Sequence, residues 1–154
     1  MPATPNNLTL AIAKALGPVE HAIRELLGYK PFRGKAKPEA AICLTFFAEM
    51  KRRILNKQFK GLVFHLANEG KRAKTSAALV RAMGLIPGLP DYLVMWRDND
   101  ELKVCFIEFK APKGKESPYQ AFFATWAESI QVRRALCYSS EEALALLDEL
   151  SAFG

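Results

Sequence analysis

Pro90-Asp91 is followed seventeen residues later by Glu108-Phe109-Lys110. In an extended strand, residues i and i+2 point to one face, about 6.6 Å apart along it. Glu108 and Lys110 would therefore share a face, with Phe109 entering the core on the other. A hairpin turning near Asp98-Asn99-Asp100 would bring Asp91, at the start of its first strand, beside Glu108, at the end of its second. Two carboxylates converging near a sheet edge form a hard, all-oxygen ligand set. Such a set suits Mg²⁺, with waters and phosphate oxygens completing the coordination. A metal there can activate water, and Lys110 can orient that water or offset charge building on a phosphate. The triplet alone says little, because E-x-K occurs four times, at Glu49, Glu69, Glu101 and Glu108. Only the last ends an apolar strand whose partner opens in Pro-Asp.

The elements that must position these residues can be read from periodicity and punctuation. Residues 7 to 27 are apolar and helix-prone, split by Gly17-Pro18 into two short helices. A basic linker runs from Tyr29 to Lys37, and a helical pattern from Pro38 to about Leu55. Gly61 to Leu66 is a strand candidate; Asn68 can cap a helix that carries Ala77, Leu79, Val80 and Met83 and stops at Gly84. A turn-rich segment then leads into strand Tyr92–Trp96, and Asp98-Asn99-Asp100 returns the chain into strand Lys103–Phe109. Ser117-Pro118 opens a helix expected to reach about Arg133. A last strand covers Ala135 to Tyr138, and Ser140 caps a helix from Glu141 to Leu150. The order predicts an α/β arrangement, a small mixed β-sheet flanked by helices, with an extra helical N-terminal segment. Two parts are expected, a helical extension and basic linker over 1–36 and a main domain over 37–154.

The chain has 154 residues, enough for one domain with a real core. It carries 22 basic and 16 acidic residues, a formal net charge of +6, which favours a polyanionic partner through counterion release. Basic residues cluster at Arg33 to Lys37, Lys51 to Arg53, Lys71 to Lys74 and Lys110 to Lys115. No apolar run approaches the roughly 20 residues of a membrane span, and the N-terminus lacks secretory-signal features, so a cytoplasmic protein is expected. Cys43, Cys105 and Cys137 contain no C-x-x-C pair and read as buried thiols rather than a zinc site.

Four blocks carry a family resemblance: Asn68-Glu69-Gly70-Lys71-Arg72, Gly84 to Asp91, Ile107 to Lys110, and Gly114 to Gln120. In that order and spacing, from about Glu39 to Leu150, the chain resembles the VRR-NUC family of the PD-(D/E)xK nuclease superfamily. The resemblance implies a restriction-endonuclease-like core and Mg²⁺- or Mn²⁺-dependent hydrolysis of DNA phosphodiesters. It further implies a homodimer acting on branched DNA such as four-way junctions. Carried onto this chain, the metal-binding acid falls on Asp91, the second acid on Glu108, the catalytic lysine on Lys110 and the helix glutamine on Gln120. Phe109 would lend a backbone carbonyl to the metal, and Lys71, Arg72, Lys113 and Lys115 would meet phosphates. The family also has an acid in its first core helix, for which Glu39 and Glu49 compete. At 100° per residue, Glu39 projects from the middle of the face centred on Cys43, Phe46, Met50 and Ile54, whereas Glu49 lies roughly 80° away. Glu39 is the choice, although Cys43 stands where the family often has a glutamine.

Simpler roles stand beside these. Asp91 can be a strand-entry turn residue, Glu108 and Lys110 a surface ion pair, and Ser117-x-x-Gln120 a capping box. His21 and His65 lack metal-spaced partners and read as structural. Phe122, Phe123 and Trp126 read as core or dimer contacts, and Tyr119 as a position able to touch DNA. Residues 1–36 could be a dimer arm or a DNA clamp. The functional alternatives are a non-catalytic DNA-binding module with a nuclease fold, or a nuclease or nickase acting on simple duplex or single-stranded DNA.

Overall fold

Strands half-buried on each face must alternate their side chains between two layers, and here the alternation decides which residues reach the core and which reach the site. A computed structural model of the chain describes residues 17–28, 30–66 and 74–154, with a few isolated positions before residue 17. The chain divides into two compact units, residues 1–34 and 35–154. In the first, α1 (Pro18–Leu27) starts with proline after Gly17, carries an exposed Glu20–Arg24 pair at 3.3 Å, and buries none of its residues. In the second lie α2 (Pro38–Leu55), β1 (Gly61–His65), α3 (Lys74–Ala82), β2 (Tyr92–Asp98), β3 (Glu101–Phe109), α4 (Pro118–Ser129), β4 (Arg133–Cys137) and α5 (Ser140–Glu149).

The four strands form one mixed sheet in the order β1-β2-β3-β4. β1 with β2 and β2 with β3 are antiparallel, while β3 and β4 are parallel, joined by the crossover helix α4. The β2–β3 hairpin closes on two residues, Asn99 and Asp100, both in the left-handed region at φ 46 and φ 67. That turn matches the strand twist, so the strands run on to Asp98 and from Glu101, longer than the apolar pattern alone indicates.

Phe109 and its odd-numbered neighbours Cys105 and Ile107 are fully buried on one face. There α2 and α5 cover the sheet, with Phe46 and Met50 from α2 and Ala143 and Leu147 from α5 all fully buried. Phe46 stacks edge-on to Tyr92 at 5.1 Å and against Phe109 at 5.2 Å between ring centroids. The burial of a phenylalanine of this kind is worth about 3 to 5 kcal/mol against truncation, and it anchors α2 two turns beyond Glu39. The even-numbered face meets α4, where the ring of Phe123 lies 5.1 Å from that of Phe106.

Two boundaries differ from the sequence expectation. Helix α4 stops at Ser129, because Ile130 closes the last turn and Gln131 adopts φ 58. Arg133 and Arg134 are thereby freed to open β4 opposite Cys105 and Phe106. The cap of α5 is Ser139, whose hydroxyl accepts from the Glu142 N–H at 3.1 Å, while Ser140 is buried at the first helical position. No disulfide joins the three cysteines; Cys43 is half-buried, and Cys105 and Cys137 are buried. Burial pushes the Cys105 thiol up to about 12 and the Cys137 thiol up to about 11, which makes both unreactive near neutral pH.

Candidate active site

Asp91 immediately precedes β2, and the pairing of Tyr92 with Ile107 puts it level with Glu108 on the adjacent strand. The backbone holds it at two points. Its carbonyl accepts from the Leu66 N–H at 2.8 Å, and its Oδ2 accepts from the Phe109 N–H at 2.7 Å. A carboxylate clamped to the main chain in this way has little freedom to swing away. Asp91 is 9% exposed and Glu108 2% exposed.

Glu39 enters from the first turn of α2 and is half-buried. One carboxylate oxygen from each of Glu39, Asp91 and Glu108 lies within 4.8 Å of the others. Lys110 follows β3, its N–H donating to the Cys137 carbonyl at 3.0 Å. Its Nζ stands 3.3 Å from Glu108 Oε1 and 3.8 Å from Glu39 Oε1. The amine thus meets two of the three carboxylates, one from α2 and one from β3.

Gln120 closes the group. Ser117 and Gln120 form a reciprocal capping box at the start of α4: the Ser117 hydroxyl accepts from the Gln120 N–H at 3.2 Å, and Gln120 Oε1 accepts from the Ser117 N–H at 2.8 Å. With its oxygen committed there, the amide turns its nitrogen outward, and Nε2 donates to Glu108 Oε1. The capping role and the site role are therefore held by one side chain at once.

Burial, followed by the charge of Asp91, pushes the Glu108 carboxyl up to about 7, against the opposing pull of Lys110 and Arg134. If all three acids ionise, the cluster carries two more negative charges than Lys110 offsets, the charge of one divalent cation. Hard oxygen donors close together, with that charge excess, fit a Mg²⁺ or Mn²⁺ ion.

Glu49, the other acid of α2, lies outside this group. It accepts from Arg52 at 2.7 and 2.9 Å and from Arg53 at 2.8 Å, and the Arg52 hydrogen bonds foremost hold its carboxyl down to about 2. Phe109 contributes its N–H to Asp91; its ring is buried in the core. Lys113 and Lys115 are exposed in the loop between Lys110 and Ser117. Lys71, Arg72 and Asn68 lie outside the described residues. Of the α4 aromatics, Phe123 enters the core, whereas Tyr119, Phe122 and Trp126 stay 58%, 67% and 60% exposed. His65 packs its ring against Tyr92.

The sequence reading missed a buried ion pair, Arg134 with Glu116. Arg134 fell where the helix was expected to end, so its membership of the sheet could not be read. The period-2 register of β4 against β3 is the signal that would have found it.

No family model matches the chain, and no curated protein or solved structure shows a significant match to it.

Proposed function

We propose that this protein is a metal-dependent nuclease that hydrolyses DNA phosphodiesters, of the VRR-NUC type that its sequence blocks resemble. The observation that carries the reading is the convergence of Glu39, Asp91 and Glu108 within 4.8 Å, with the Lys110 amine 3.3 Å from Glu108. The expected restriction-endonuclease-like core is compatible with the four-stranded mixed sheet flanked by helices.

Asp91, Glu108 and Glu39 would hold a Mg²⁺ or Mn²⁺ ion, with the Phe109 carbonyl as a further donor. When bound, such an ion supplies Lewis-acid polarisation of a phosphoryl oxygen and makes a nucleophile of water near neutral pH. The chain does the rest. The Phe109 N–H fixes the direction of the Asp91 carboxylate. Gln120 fixes that of Glu108, so the oxygens need not reorganise when substrate arrives. Lys110, whose amine stands beside Glu108 and Glu39, would donate to the attacking water and offset charge growing on the phosphoryl group. Hydrolysis makes one P–O bond to water and breaks one to the leaving sugar oxygen, which gains a proton. Branched DNA, such as a four-way junction, is the substrate that the resemblance nominates.

The deciding experiment is cleavage of a labelled four-way junction and its matching linear duplex with Mg²⁺, Mn²⁺ or EDTA. We expect metal-dependent cutting of the junction, lost in EDTA and reduced about a hundredfold or more by Lys110→Ala, the scale set by loss of one charge-stabilising donor. Asp91→Ala should abolish cutting and keep most of the DNA affinity. Wild-type protein that binds the junction but never cuts it with either metal would refute the catalytic reading and favour a binding module.

A further inference from the structure

Arg134 is 7% exposed and forms an ion pair with Glu116, whose side chain is 28% exposed. Among the described residues, Arg134 Nε and Nη2 and Glu116 Oε1, all three of them buried, have no hydrogen-bond partner, so the two side chains meet as opposite charges. Each group is the close opposite charge of the other, and the Arg134 charge also reaches the Glu108 carboxyl. Removing one partner of such a pair leaves an uncompensated buried ion, whereas replacing both with neutral groups of similar size is often harmless to stability.

The ends of the pair sit at informative places. Arg134 lies in β4 opposite Phe106, and Leu136, two residues on, lies opposite Glu108. By the strand alternation, Arg134 shares a face with Glu108. Glu116 is the last loop residue before the Ser117 cap of α4. Between Lys110 and Ser117 the loop has few other ties, a turn from the Gly114 N–H to the Ala111 carbonyl at 2.8 Å among them. The ion pair thus ties the residue just before α4 to the sheet. Three residues past the cap, Gln120 donates to Glu108.

We propose that Arg134 is a positioning residue: its ion pair with Glu116 staples the start of α4 to β4 and so holds the Gln120 amide on Glu108 at the candidate metal centre. The staple works through charge: two opposite charges held largely out of water attract strongly, and that attraction keeps the start of the helix beside β4. Partners one step removed from metal ligands commonly change metal affinity about 10- to 100-fold. The metal side of this inference rests on the nuclease reading; the Gln120 side does not.

The test uses the full chain and the double variant Arg134→Met with Glu116→Gln, which removes both members of the pair and should melt close to wild type; Glu116→Gln alone is its companion, because it breaks the pair and keeps the Arg134 charge that Glu108 feels. Two readouts follow. One is the side-chain amide signal of Gln120 in a ¹⁵N spectrum without metal; the other is the dissociation constant for Mn²⁺ by calorimetry. We expect the Gln120 signal to move to the shift of a free glutamine amide and the Mn²⁺ affinity to fall about tenfold or more. A double variant that folds like wild type and keeps both the Gln120 signal and the Mn²⁺ affinity would overturn the proposal, leaving the pair a stabilising contact only. Wild-type protein that binds no Mn²⁺ would sink the metal reading, while the spectrum would still decide whether Arg134 positions Gln120.

Discussion

Below about pH 7 the metal-free protein keeps a proton on Glu108, because burial and the neighbouring Asp91 raise its carboxyl from 4.5 to about 7. The sign of the linkage follows. Between those two values the folded chain holds a proton that the unfolded chain releases, so Glu108 favours folding at low pH. That contribution is lost as pH rises through the window. A divalent cation must displace the same proton. Its affinity should therefore climb about tenfold per pH unit up to about 7 and then level off. Mn²⁺ titrations by calorimetry from about pH 5 to about pH 8, in buffers of different ionisation enthalpy, would show both the slope and the released proton. An affinity flat across that range would remove Glu108 from the ligand set. Thermal melts in EDTA give an independent check: wild type should lose stability relative to Glu108→Gln as pH rises through the same interval.

The loop ahead of β2 makes its own contribution at the level of elements. Gly88 has φ +80, and a Cβ there would collide with the Tyr119 carbonyl and lie 2.8 Å from the Gln120 nitrogen. The turn that delivers Asp91 thus rests directly on the backbone at the start of α4. Gly88→Ala should cost about 1 to 3 kcal/mol of stability through strain and push Asp91 away from Gln120, weakening Mn²⁺ binding about tenfold. Gly84→Ala is the matched control, because Gly84 has φ +108 with nothing within 4 Å of its Cβ position. It should destabilise through strain and leave Mn²⁺ affinity near wild type; equal affinity losses in the two variants would refute the contact argument. Local rules made much of this legible beforehand. Alternation and the Asp-Asn-Asp turn disclosed the hairpin that sets Asp91 beside Glu108, helical angles separated Glu39 from Glu49, and Ser117-x-x-Gln120 announced a cap. What stayed hidden depends mostly on partners distant in sequence: the Phe109 N–H on Asp91, and the Arg134–Glu116 pair, whose place in β4 only the parallel pairing with β3 defines; the end of α4 at Ser129 turns instead on the left-handed backbone of Gln131, a residue with no glycine to announce it.

Across the whole molecule the charges are divided in a way that constrains how a nucleic acid could approach. The formal net charge is +6, yet the candidate site itself gathers Glu39, Asp91 and Glu108, with Lys110 beside two of them. A phosphate backbone would be repelled by that cluster until a cation fills it, so the long-range attraction has to come from its surroundings. Lys113 and Lys115 are exposed in the loop that joins Lys110 to the cap of α4, and they are the nearest cations along the chain on that side. If both meet phosphates, each releases about 0.9 of a counterion on duplex DNA. The plot of log binding constant against log salt should then lose about two units of slope in Lys113→Gln with Lys115→Gln. Asp91→Ala, which alters the acidic cluster and no cation, should keep the wild-type slope. Fluorescence anisotropy with a labelled junction in Ca²⁺ or EDTA, over about 50 to 200 mM salt, would measure all three proteins without cleavage. A double variant that binds more weakly at every salt with an unchanged slope would mean that these lysines shape the loop rather than touch the backbone. The phosphate contacts would then have to come from another of the basic clusters, such as Lys51 to Arg53.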